Sequence, residues 1–457
     1  MSSGMHAATK CLGNHSVGAN VLAEPLTSST KALDCAIKRA SKRLMPSLLL
    51  MYIVGFLNRT NIGFAKDALR ASAHISNTAY ALGAGLFFLS YAAFEVPSNL
   101  MMHRVGARLW MTRIMITWGL VSAAMIFANG KCSFYVLRLL LGAAEAGFFP
   151  GVILYLTYWF PNQSRTAIIG LFYFGAPLAL SFGGPLSGYL MQMPDIAGLH
   201  GWQWMFLIEG LTTVAVGAWT FWYLDDRPSD AAWLSAAEKA ALSASVVQED
   251  EARINRGPVA FKAVLSNFRV ICFIVIYFFI QMSIYGVIFY LPTQVAALLS
   301  EKVNLKVGLV SAIPWICAIV ATFVIPRYAQ KTGQHRTIAA VTLAISGLGI
   351  AVSASASPFI SIVALCFAAA GFIAVQPLFW TFPTSYLGGI AAASGIALVN
   401  ALGSLGGFLA PNVKAWADRS FGSPHAGLYV LAAITLVGSL LILLALRPAC
   451  ARAMSAS

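Results

Sequence analysis

The chain has 457 residues, of which 59% are hydrophobic and only 10% charged, with a formal net charge of +14. A water-soluble domain carries roughly 25% charged residues, so the composition excludes a soluble globular protein. The basic excess does not point to nucleic acid, because it is dispersed between long apolar runs.

Residues 1–43 are polar with scattered apolar positions. They contain no short apolar core followed by a cleavage site, so no signal peptide is expected. They read as a disordered cytoplasmic extension. Twelve apolar runs follow, each near the length needed to cross a hydrocarbon core of about 30 Å. They lie at 44–65, 80–101, 109–128, 132–155, 166–192, 203–224, 268–293, 305–326, 336–355, 359–384, 389–413 and 425–446. The seventh, tenth and eleventh contain Pro or many Gly, which a helical bundle tolerates. The longest hydrophilic break, 225–267, separates six spans (44–224) from six (268–446), and 447–457 forms a second tail. Within the break, AAWLSAAEKAALSASVV follows Pro228 and reads as a surface helix. The expected fold is an all-α membrane protein of twelve transmembrane helices in two six-helix bundles.

Nineteen of the 30 Lys and Arg fall in the tails and in the loops after spans 2, 4, 6 and 8. This positive-inside bias puts both termini in the cytoplasm, as in a multi-pass protein of the bacterial inner membrane. The seven Cys occur singly without CxxC spacing, and no His lies deep in a span. Neither a disulfide framework nor a metal site is expected, nor the machinery of an intramembrane enzyme.

The halves echo one another. The loops after spans 2 and 8 are short basic turns around Gly106 and Gly333. Span 5 contains SFGGPLSG and span 11 SLGGFLAP, with Gly183 and Gly406 in register. The two offsets agree within four residues, which suggests a duplicated bundle. Gly-rich spans and basic loops in any polytopic protein are the competing explanation.

Three charges sit at membrane depth: Arg59, Arg138 and Glu145. A charged side chain near a helix centre costs roughly 2.5–3.5 kcal/mol by the most lenient scale, and such residues mark substrate or proton paths. Arg138 and Glu145 are seven apart, which puts them on one helix face about 10 Å apart along the axis. Arg can grip a carboxylate through two parallel charge-assisted hydrogen bonds. A static interhelix ion pair is the competing reading.

Longer strings carry a family likeness: FLNRTNIGFA, FFLSYAAFEVPSNLMMHRVGARLWMTRIMITWG, LRLLLGAAEAGFFPGVILYLTYWFP, GWQWMFLIEG and QPLFWTFPTSYLGGIAAASGIALVNALGSLGGFLAP. Together they resemble the anion:cation symporter family of major facilitators, from about residue 40 to 446. The resemblance implies import of a small organic anion, such as a sugar acid, tartrate or phthalate, with protons and by alternating access. It implies no cofactor beyond the coupling proton. It also implies a central polar network in which Arg59 anchors the substrate carboxylate, Glu145 carries the proton and Arg138 modulates Glu145. Many members have Asp before the first arginine. This chain has Asn58, which does not titrate near neutral pH, so Glu145 is expected to be the one deep carboxyl near the arginines and fewer protons to move per substrate.

Tyr91, Trp380 and Asn400 match family cavity positions, and Gln281 and Tyr285 share a face of span 7 at i, i+4 spacing. For each, ordinary interhelix packing competes with substrate contact. Glu95 precedes Pro97 beside the basic turn of Arg104, Gly106 and Arg108, and is expected to latch the cytoplasmic gate there. Glu209 is expected to be structural. Export of an acid by the same fold remains the alternative to import. The expected partners are a small organic anion and the bilayer, not nucleic acid, with the monomer as the working unit.

Overall fold

A computed structural model describes residues 17–254, 267–386 and 390–445. Among these residues it contains twelve helices long and apolar enough to cross a membrane. In chain order, α1 joins Val17–Thr60 to Ile62–Ser72, α2 is Asn77–Val105 and α3 is Ala107–Ala123. α4 joins Lys131–Glu145 to Phe148–Trp159, α5 joins Asn162–Tyr173 to Gly175–Met191, and α6 is Gly201–Tyr223. After the connecting segment, α7 joins Phe268–Ile288 to Leu291–Leu299. α8 is Leu305–Thr332, α9 His335–Ser355, α10 Pro358–Tyr386, α11 Ile390–Ser420 and α12 Ala426–Ala445.

The first helix corrects one expectation. It extends back to Val17, so the segment before residue 44 is helical from that point rather than unstructured. Ala36 and Ala40 are fully buried. Arg39 Nη1 donates to Glu238 Oε2 at 2.9 Å, and the Arg43 guanidinium lies over the rings of Tyr223 and Trp233. These contacts tie it to the connecting helix Ala236–Ile254, which falls where the sequence predicts one. Ser235 and Glu238 cap that helix reciprocally, hydroxyl to backbone N–H and carboxylate to backbone N–H. The Ser235 backbone N–H and hydroxyl, with Arg39, hold the Glu238 carboxyl below the usual range.

Helix pairing repeats after six helices. α1 packs on α5 and α6, α2 on α4 and α3 on α6. In the second half α7 packs on α11 and α12, α8 on α10 and α9 on α12. The halves meet along α5 with α8 and α2 with α11. The two Gly-Gly pairs explain how. A Cβ on Gly183 would stand 2.2 Å from Leu57 of α1, and one on Gly406 would stand 2.1 Å from the Phe278 carbonyl of α7. The following glycines face the opposite half. A Cβ on Gly184 would lie 2.7 Å from the Gly308 carbonyl of α8, and one on Gly407 would lie 2.7 Å from the Phe88 ring of α2. Each pair therefore serves one contact within its half and one across the interface.

Four helices are interrupted, α5 at Phe174 among them. α1 is interrupted at Asn61, α4 at Ala146–Gly147, where Gly147 has φ +87°, and α7 at Phe289–Tyr290. The breaks in α1 and α7 abut, since a Cβ on Gly63 would be 3.2 Å from the carbonyls of Ile288 and Phe289. Tyr80 of α2 seals this point, with its hydroxyl 3.2 Å from the Ile62 carbonyl and 3.0 Å from that of Phe289. This end of the bundle, opposite the chain termini, is closed.

A β-carbon at Gly308 would come 2.2 Å from the Gly184 carbonyl, whereas one at Gly170 would meet open space. Gly308→Ala should lower stability by about 1–3 kcal/mol through overpacking, while Gly170→Ala should be neutral or stabilising by up to about 1 kcal/mol. Thermal unfolding of both variants in lipid nanodiscs measures the difference.

Candidate functional site

The broken helices surround a small central cavity of about 50 Å³. One water needs roughly 10–15 Å³ measured this way, so the cavity has room for a few waters. Arg59 and Glu145 line it together, with Tyr52 and Phe56 of α1 and Tyr91 of α2. Tyr277, Gln281 and Tyr285 of α7, Gln376 of α10, and Asn400 and Ser404 of α11 face them, and Trp118, Phe148, Phe149 and Tyr173 add to the aromatic wall. Both halves therefore contribute.

Arg59 is the centre of the site. It forms an ion pair with Glu145, and its Nη1 donates to the Tyr285 hydroxyl at 2.9 Å. Its guanidinium lies over the rings of Phe56, Phe87 and Tyr91, 5.2–5.5 Å from their centroids. Such stacking favours a partly desolvated cation. Glu145 ends the first segment of α4, one residue before the break, and its Oε2 has no hydrogen-bond partner among the described residues. The break thus leaves the acid at a helix end, where it can reach α1.

Arg138 departs from expectation. It shares a helix with Glu145 but turns away from it. Its Nε donates to the Gly83 carbonyl at 3.2 Å and its Nη2 to that of Ala84 at 3.3 Å. It is fully buried over Phe87 and does not line the cavity. Seven-residue spacing aligns two side chains on a helix face but leaves a long side chain free to swing. Arg138 took the carbonyls of α2, and only Arg59 faces Glu145.

Asn58 is also outside the cavity. Its Nδ2 donates to the Val54 carbonyl at 2.9 Å and to Thr213 of α6, and its Oδ1 accepts from Ser122 of α3 at 2.6 Å. A fully buried amide with every group used is a packing element. The proton-coupling role expected for it is therefore not supported by its placement.

Glu95 overturns two expectations. It is fully buried and accepts a 2.6 Å hydrogen bond from Asn400 Nδ2 of the opposite half. It does not touch the basic turn. That turn closes on Asp226 instead: Asp226 Oδ1 accepts from the Arg108 backbone N–H at 2.8 Å, and Arg108 Nε donates to the Phe221 carbonyl. Gly106, with φ +97°, leaves only 2.9 Å between Asp226 and any added Cβ, and Arg104 is exposed. Glu145 is consequently not the one deep carboxyl. Glu209 is buried as well, accepting from Asn61 and Ser187 at the α1 break.

Tyr91, Gln281, Tyr285 and Asn400 line the cavity as expected. Trp380 does not, standing one layer back with its ring edge-on to Tyr277. Three of the lining residues not anticipated are one or two helical turns from ones that were, whereas Trp118 of α3 and Tyr173 of α5 stand farther than that from any candidate. Ser404 follows Asn400 by four, Gln376 precedes Trp380 by four, and Tyr52 precedes Arg59 by seven. Carrying the i, i+4 rule outward from each candidate would have found them.

A membrane-embedded, two-fold repeated bundle with a polar cavity between its halves is the architecture of a secondary transporter. The Major Facilitator Superfamily profile matches residues 48–411, and the chain belongs to that family. It is a multi-pass membrane transporter of a small molecule, in a family that transports and does not catalyse covalent chemistry. The inner membrane transport protein RhmT of Escherichia coli (strain K12) is 49% identical to it, over 91% of this chain and 96% of that one. A putative tartrate transporter of Agrobacterium vitis is 41% identical over 90% and 95%. The crystal structure of a D-xylose-proton symporter superposes with a TM-score of 0.69 over 88% of this chain and 96% of that one, at 14% identity, a likeness of fold alone.

Replacing the Asn58 amide by a carboxyl removes two donors from a packed cluster. Asn58→Asp should therefore cost about 1–3 kcal/mol of stability, measured by thermal unfolding, with no change in the pH optimum of transport.

Proposed function

We propose that this transporter imports a small organic anion together with protons, by alternating access around Arg59. The observation that carries the reading is the Arg59–Glu145 ion pair on the wall of a central cavity to which both halves contribute. With Glu145 ionised, its charge occupies the guanidinium. When Glu145 takes a proton the pair loses its attraction, and Arg59 is free to hold a substrate carboxylate bidentately. For a monocarboxylate, proton and anion then enter the site together and the net charge of the loaded cavity equals that of the empty one; a dicarboxylate such as tartrate needs a second proton for the same balance. Tyr285, already bonded to Arg59, and the amides of Gln281, Gln376 and Asn400 supply donors and acceptors suited to hydroxyls on a small polar acid. The tartrate transporter similarity supports this substrate class.

The closed end sealed by Tyr80 corresponds to the periplasmic side if the basic loops face the cytoplasm. On this reading both termini lie in the cytoplasm of a cell whose inner membrane holds the protein, and the monomer is the working unit. Arg138 keeps a supporting role, holding α2 against α4 so that Phe87 and Tyr91 stay on Arg59. Gly106 and Arg108, closed on Asp226, form a cytoplasmic loop clasp that ties α3 to the end of α6, with Arg104 exposed beside it.

Uptake of radiolabelled tartrate and a panel of sugar and aromatic acids into proteoliposomes, with and without a protonophore, tests the reading. Arg59→Ala should reduce uptake of the transported acid at least about 30-fold, the loss of roughly 2 kcal/mol of charge-assisted bonding. Glu145→Gln should abolish acceleration by a proton gradient while sparing counterflow exchange. Proton-driven uptake at full rate by both variants would overturn the assignment. A protonophore that raises accumulation in whole cells would indicate export through the same site.

A further inference from the structure

The second buried acid, Glu95, stands at the seam between the halves. Its Oε1 accepts from Asn400 Nδ2 at 2.6 Å, and its Oε2 is buried without a partner. Asn400 lines the cavity, whereas Glu95 stands behind it. α2 runs from the sealed end toward the termini and α11 runs back, so the bond lies in the termini-side half of the bundle, on the opposite side of the cavity from Tyr80. The charged and titratable groups that bear on Glu95 are few among the described residues. Arg59 of α1 is one, already engaged by Glu145 of α4, and Tyr91, one turn back on α2, is the other. α11 brings only the neutral amide. α3 brings Trp110, whose Nε1 donates to Ser98. Among the described residues no cation lies within ion-pair distance of the carboxyl.

We infer that Glu95 is a second proton-carrying group, and that its proton holds α2 against α11 to keep the termini-side gate shut. A carboxylate in this seam would be a buried charge with one hydrogen bond and no counter-ion, a penalised state. The neutral acid keeps the Asn400 bond and carries its proton on Oε2. Loss of that proton leaves a charge that water can satisfy only if the helices part. The site opens as the proton leaves, and the proton leaves toward the side that opens. The inference extends the proton-coupled reading of the cavity, on which it relies only for the purpose of the proton. It also supplies the second titratable carboxyl that position 58 lacks.

The test reads the gate without substrate. Hydrogen–deuterium exchange of the full-length protein in nanodiscs is followed between pH 6 and pH 9, corrected for the intrinsic pH dependence of amide exchange. Peptides covering 93–105 and 395–402 are read. In the wild type their exchange should rise about tenfold as the linked proton is lost. Glu95→Gln should remain protected at every pH, Glu95→Asp should restore the rise, and Glu145→Gln should keep it. A rise in Glu95→Gln equal to that of the wild type, or a flat profile in the wild type, would overturn the inference. If Glu95→Gln does not fold, the wild type and Glu95→Asp carry the test, and a flat profile in both is the overturning result. Since no anion is present, failure of the Arg59 uptake experiment would leave this result standing, and a flat exchange profile would leave the anion reading standing.

Discussion

A guanidinium cannot face hydrocarbon, and Arg59 lies in the middle of a helix that must cross it. Much of the architecture around the centre answers that constraint. Three helices give up continuity close to Arg59, and each break puts something within its reach. The α4 break leaves Glu145 at a helix end. The α7 segment that ends at its break delivers Tyr285. The α1 break lets the distal part of the first helix turn aside toward α7. Aromatic faces from α1 and α2 complete the surroundings, so the cation is held by charge, one phenol and three rings rather than by water.

That arrangement leaves the cation held in part by a reversible partner. A permanently paired arginine would be a structural staple, as Arg138 is with its two carbonyls and no acid. Arg59 differs because its charged partner is an acid from another helix and because it lines the cavity between the halves. The contrast between the two arginines on neighbouring helices separates the transport site from its scaffold.

Much of this was legible in the chain. Apolar run length located the spans, since a helix crossing lipid has little freedom of composition. The cost of burying charge singled out Arg59, Arg138 and Glu145, and the SFGGPLSG and SLGGFLAP echo turned out to mark equivalent contacts. What did not show was the direction in which long or amphipathic side chains turn. Arg138 and Glu145 share a face by spacing, yet one reaches α2 and the other α1. Asn58 adjoins Arg59 in sequence, but adjacent helical residues point about 100° apart, so one packs on α3 and α6 while the other enters the cavity. Glu95 sits eleven residues before Gly106, near enough to suggest a shared role, yet it meets a residue 305 positions away. Pairings of that kind depend on how two bundles dock, which local sequence does not encode. The helical run from Val17 was missed for another reason: Lys31, Asp34, Lys38 and Lys42 keep its polar face exposed, and its buried face rests on the small residues Ala36 and Ala40.

The double use of each Gly-Gly pair has a consequence for how such a molecule can move. One glycine fastens its helix to a neighbour that travels with it, and the next presses the same helix on a neighbour that does not. The rigid body and the sliding surface are thus adjacent residues on one helix, with no cushion of side chain between them. On the transport reading, relative motion of the halves would pivot about the Gly184–Gly308 backbone contact and the Gly407–Phe88 ring contact, like two shells turning on a shared bearing. It also follows that the bearing cannot be tightened or loosened without disturbing the shells themselves.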